Sequence, residues 1–168
     1  QMCIRDRFYT TAALSSFSMR FFSGRVADRL GRGIFVSISI LFYFAAMATM
    51  AIAHNVPLFL SAALMEGTGA GLFVPTMIAL VSDRTPPAER ARTFAVVLTG
   101  FDLGIAIAGP VFGSVSDQLG YSTLFTIAAG LALMAGVLFM TRSSTTIRRS
   151  FRFACGRDRD GYALNWHT

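Results

Sequence analysis

Apolar residues in this chain come in long blocks, not in the short alternating or amphipathic runs of a soluble domain. Five such blocks lie at 8–23, 34–53, 58–82, 93–115 and 122–140. Their lengths bracket the roughly 17–25 residues that a helix needs to cross a bilayer. Only short polar stretches separate them, so each block is expected to run antiparallel to the next. The pattern therefore predicts an all-α fold, a multi-pass transmembrane helical bundle of five spans. The tail, 141–168, is rich in Ser, Thr and Arg and has no sustained apolar period. It is expected to be disordered or to lie on the membrane surface.

Composition agrees with the pattern. Hydrophobic residues make up 54% of the chain and charged residues 14%, against about 25% charged in a soluble domain. Every one of the 15 basic residues is Arg. Arg20, Arg25, Arg29 and Arg32 fall at the first connection, Arg84, Arg90 and Arg92 at the third, and Arg142, Arg148, Arg149, Arg152, Arg157 and Arg159 in the tail. The second connection, 54–57, and the fourth, 116–121, hold none. By the positive-inside rule this alternation places loops 24–33 and 83–92 and the tail in the cytoplasm. The expected location is a cell membrane, of the bacterial inner-membrane kind.

The net charge of +6 would otherwise suggest a nucleic-acid partner. The arginines, however, sit in turns and a tail instead of on a basic helix face interleaved with aromatics, so no nucleic acid is expected. Cys3 and Cys155 are far apart and lack metal-ligand spacing, which argues against both a disulfide framework and a zinc site. His54 falls in an external turn and His167 in the tail. No histidine is thus available to a membrane-embedded triad or metal centre. The expectation is no enzymatic activity, no catalytic residue, no metal and no cofactor. Residues 1–7 resemble the translation of a sequencing adapter and are set aside as non-native; they are also too polar for a secretory signal.

The chemistry concentrates at three places. In the first loop Gly24 and Asp28 lie one helical turn apart, on one face at a helix end. A glycine there permits close helix approach, and a carboxylate there can pair with an arginine or a helix N-terminus. In the third block Glu66 precedes Gly67, Gly69 and Gly71, with Pro75 after them. With no preceding strand and no Lys-Ser/Thr, these glycines are not a phosphate loop. They are small residues for tight helix packing, or with Pro75 a bending site. The fourth block carries Asp102, Gly104, Gly109, Pro110 and Gly113, again as packing or bending positions. Asp102 lies about 14 Å into its block and Glu66 about 12 Å into its own. A bare charge at such depth costs at least about 3 kcal/mol, so neither should face lipid. Each is either a carboxyl that exchanges a proton as its exposure changes, or one that holds its proton and hydrogen-bonds a neighbouring helix.

The order Gly24, Asp28-Arg29, Gly31-Arg32 resembles the loop signature of the major facilitator superfamily of secondary transporters. The family carries a basic residue at the next position, where this chain has Gly33. The resemblance covers 8–140 and implies that Gly24, Asp28, Arg29, Gly31 and Arg32 form a gating loop, with Asp28 helping to lock a cytoplasmic gate. The run Gly109-Pro110 with Gly113 partly resembles the antiporter signature of superfamily exporters, with Ile105 and Ser114 in place of two family glycines. Pro86-Pro87-Ala88-Glu89-Arg90 followed by a Gly-rich span resembles the eleventh helix of drug and sugar exporters. What these resemblances imply is the carboxy-terminal half, helices eight to twelve; helices two to six are the alternative, because the halves are repeats. The implied activity is secondary transport of a small organic solute by alternating access, as proton-coupled efflux. Its partners would be the small-molecule substrate, the lipid bilayer and the missing other half, without which the fragment is expected to be inactive. A non-transporting membrane scaffold is the rival reading.

Overall fold

The computed structural model describes residues 2–30, 32–144 and 147–157; for residue 2 and residues 22–30 it describes the backbone alone. Among these residues the fold is helical throughout, without strands. Five helices follow in order: α1 (Met2–Leu30), α2 (Arg32–Ala51), α3 (Val56–Arg84), α4 (Arg90–Arg142) and α5 (Ile147–Ala154).

Local chemistry sets the boundaries. Asn55 is extended (φ −138°, ψ 160°) and its side chain accepts the Leu58 N–H at 3.0 Å, a cap worth about 1 kcal/mol. Pro57 follows in the first turn of α3, where no intrahelical hydrogen bond is lost. The end of α3 is set by Thr85, extended at φ −121° and ψ 130°, the conformation that the following Pro86 imposes on its neighbour. α4 is 53 residues long and is broken at Gly120, with φ 81° and ψ 164°. That backbone region is essentially restricted to glycine. The break divides α4 into a first arm, 90–119, and a second arm, 121–142. Either arm is long enough for the ~30 Å hydrocarbon core.

α2, α3 and α4 are each long and apolar enough to cross a membrane. Of the five predicted blocks, two are thus the arms of α4, and the first lies in α1, which has the length without the hydropathy. Two regions are more regular than their composition suggests. The basic stretch 24–33 is helical through Leu30 and helical again from Arg32, since residues 25–30 hold neither Gly nor Pro. The tail is not wholly irregular, since residues 147–154 form α5 and bury one face of it.

The helices alternate in direction. Phe8 of α1 meets Phe59 of α3 with ring centroids 4.8 Å apart, and the Ser122 hydroxyl donates to the Ala51 carbonyl at 2.7 Å. These contacts gather one end of the bundle. At the other end Arg32 of α2 donates to the Ala79 carbonyl at 2.7 Å and pairs with Asp83 of α3. The core between the ends is made of small and branched residues, with Val36, Ala46, Ala62, Ala63, Leu72 and Leu80 buried.

Candidate functional site

The glycines of α3 fix how the wall of the site is built. Gly67 and Gly71 are four residues apart and share a face. A Cβ at Gly67 would overlap the Ala12 carbonyl of α1, and one at Gly71 would come within 2.8 Å of the Met19 Cβ. Gly69 lies on the opposite side, where a Cβ would stand 3.2 Å from the Ser39 carbonyl and 3.4 Å from the Tyr43 ring of α2. Two helices therefore pack on α3 at near-backbone distance, one on each face. The Ser15 hydroxyl closes the α1 side by bonding the Leu64 carbonyl at 3.0 Å and the Thr68 hydroxyl at 2.9 Å. Pro75 sits within α3 and deprives the Gly71 carbonyl of its helical donor. The closest approach and the weakest backbone of α3 thus coincide within one turn.

Beside this packed layer opens a cavity of about 1300 Å³. α2 lines it with Val36, Ile40, Tyr43 and Met47, and α3 with Phe73, Met77 and Val81. The first arm of α4 contributes Phe101 and Phe112, and the second arm Leu131, Ala135 and Phe139. The lining is apolar and aromatic except at one end, where Arg84, Thr85, Glu89 and Arg142 join it. That volume and lining suit an organic molecule with a sizeable apolar body. The polar groups at one end are placed to orient it.

The two intramembrane carboxylates are placed differently. Glu66 is half-buried in α3. Asp102 is exposed on the first arm of α4, next in sequence to the cavity residue Phe101. The structure does not join the two into one cluster. Of the loop residues, Arg32 carries the link to Asp83 and Ala79 described above. Gly31 lies outside the described residues, as do the side chains of Gly24, Asp28 and Arg29. The glycines of the first arm differ from those of α3. A Cβ at Gly104, Gly109 or Gly113 would meet nothing within 4 Å. Among the described residues the first arm leans on no other helix at those positions. Pro110 falls in the same exposed arm.

Sequence reasoning missed Tyr43, Asp83, Arg84 and Phe153. The signal for Asp83 was present: in an antiparallel α2–α3 hairpin the first residue of α2 comes level with the last turn of α3. Tyr43 gave no signal, since a single tyrosine in an apolar span is indistinguishable from a lipid-facing one.

The family model of the Major Facilitator Superfamily matches residues 8–153. The chain belongs to the major facilitator superfamily. Its match to that family reaches Phe153 in α5. Among curated members, the chain is similar to the quinolone resistance protein NorA of Staphylococcus aureus, 25% identical over 130 residues that make up 75% of this chain and 32% of that protein. It is likewise similar to an uncharacterized MFS-type transporter, STM4428, of Salmonella typhimurium, 28% identical over 129 residues, 77% of this chain and 33% of that protein. The chain spans about a third of the length of these superfamily relatives.

Proposed function

We propose that this chain is one wall of a secondary transporter that moves a small organic solute across a cell membrane by alternating access, as proton-coupled efflux. The observation that carries the reading is the apolar, aromatic cavity between α2, α3 and α4, in a chain of the major facilitator superfamily. The cavity is open along the first arm of α4, whose side chains are exposed over most of its length. A second helical bundle covering that arm completes the cavity, and Gly109 and Gly113, four residues apart on one face, then become part of its packing surface. We assign the chain to the carboxy-terminal half, helices eight to twelve, on the Pro86-Pro87 connection and the Gly-rich span after it. The basic end, with Arg32, Arg84 and Arg142, faces the cytoplasm of a bacterial cell. In this reading Asp28 belongs to the gate at that end.

Similarity to a quinolone resistance protein favours outward movement of an apolar organic compound. Asp102 is the proposed proton carrier, because it lies on the open arm beside Phe101 and changes its surroundings as the two bundles rock; Glu66, half-buried in α3, is the second candidate. The test is flux of a lipophilic fluorescent dye in proteoliposomes containing the complete transporter, with a pH gradient imposed. Dye movement should follow the gradient and stop with a protonophore. Asp102→Asn should lose the gradient-driven component while retaining dye exchange down its own gradient. Gradient-driven movement that survives Asp102→Asn would remove Asp102 from coupling, and a complete protein that moves no solute would favour the scaffold reading.

A further inference from the structure

α5 is too short to span a membrane, yet it is tied to the bundle. Its inner face is buried, with Phe153 4% and Ser150 0% exposed. Phe153 packs with Val36 of α2 and Leu80 of α3. Its ring lies 6.4 Å from that of Phe139 and 5.0 Å from the Arg84 guanidinium. Gly33 admits the Phe153 backbone, since a Cβ there would overlap the Phe153 carbonyl. The Ser150 hydroxyl accepts the Ser144 N–H at 2.6 Å and donates to the Ser144 carbonyl at 3.2 Å. α5 is therefore held level with the last turn of α4, the first turn of α2 and the last turn of α3. That is the plane where the spans end.

The outer surface of α5 divides in two. At about 100° per residue, Arg148, Arg149 and Arg152 form one exposed edge. Ile147 and Phe151 form the adjoining edge, 69% and 56% exposed. α5 contains no acidic residue. A soluble acidic partner would have use for the arginines alone. An apolar edge beside a basic edge, at the level where spans end, matches a bilayer boundary, with apolar side chains toward the acyl region and arginines among phosphates. The geometry points to α5 as a binding surface for anionic phospholipid headgroups, located at the polar end of the cavity. Lipid bound there holds Phe153 against Arg84 and Phe139, both of which line the cavity.

The experiment uses the full chain with Cys3→Ser and a nitroxide on the exposed Cys155, reconstituted into phosphatidylcholine vesicles with or without phosphatidylglycerol. Because both leaflets have the same composition, the orientation of insertion does not matter. Each arginine near an anionic surface contributes about a fivefold gain, so three together shift the equilibrium toward the seated helix by about 100-fold. The expected result is a probe that becomes immobilised and shielded from a water-soluble relaxant when phosphatidylglycerol is present. The triple variant R148Q/R149Q/R152Q should show the phosphatidylcholine spectrum in both vesicles. Phe153→Ala, which keeps the arginines, should stay shielded from the relaxant with phosphatidylglycerol but show a more mobile probe. Identical spectra in the two lipids, or a phosphatidylglycerol effect that survives in the triple variant, would overturn the assignment.

Discussion

Glycine at one position in this chain is required by space, at another by backbone torsion, and at a third by neither. Gly67 touches the Ala12 backbone and has no room for a methyl group, whereas Gly104 faces open space in the same kind of helix. Alanine should therefore have opposite signs at the two sites when this chain is unfolded in mixed SDS micelles. Gly67→Ala is expected to destabilise by about 1–3 kcal/mol through overpacking. Gly104→Ala is expected to stabilise by up to about 1 kcal/mol through helix propensity. Equal effects at both sites would mean that α1 does not approach α3 as described. Gly120 is the torsional case: its φ of 81° lies where other residues are strained, so Gly120→Ala should cost about 1–3 kcal/mol despite the free space around it. The Arg32–Asp83 pair is partly exposed, at 26% and 55%, and contributes at most about 1 kcal/mol. Its value is to hold the α2 start level with the α3 end.

At the scale of elements, much of the bundle was legible in the sequence. The blocks at 34–53 and 58–82 differ from α2 and α3 by only a few residues at each end, because membrane-length apolar runs and the Asn55-Val56-Pro57 turn leave little freedom. The break between the last two blocks was also legible, at the connection that contains Gly120. In the first connection the four-residue spacing of Gly24 and Asp28 marked a helix end, and the chain stays helical from Gly24 to Leu30. Helix propensity within that run outweighs the punctuation by glycine. α5 was missed since eight residues give too few turns to show a period, and its buried face uses Ser150 and Ala154 as well as Phe153. The candidate site was legible only in part. Glu66, Asp102 and the α3 glycines could be named from spacing, but a cavity made by α2, α3 and both arms of α4 depends on which faces meet. Composition carries no information on that.

For the whole molecule, the division of labour between the helices is the main point. α1, α2 and α3 form a closely packed layer around small residues, and α4 closes one side of a large apolar cavity while leaving its first arm uncovered. In the proposed function, this packed layer beside an open cavity is the part that rocks against a second bundle. The superfamily match from Phe8 to Phe153 joins that form to a known class of transporter. The cavity also links the two proposals, because its polar end is the place where Phe153 of α5 meets Arg84.

The most direct test is the accessibility of the cavity in the complete transporter. With Cys3 and Cys155 replaced by serine, a single cysteine at the cavity position Ala135 would be challenged with a membrane-impermeant thiol reagent from the basic side. A cysteine at Val96, which is 67% exposed and outside the cavity lining, serves as the reference. The expected result is that the residue 135 thiol reacts, that its rate changes when a proton gradient is imposed, and that the residue 96 thiol does neither. A residue 135 thiol as unreactive as that at 96 under every gradient would contradict it.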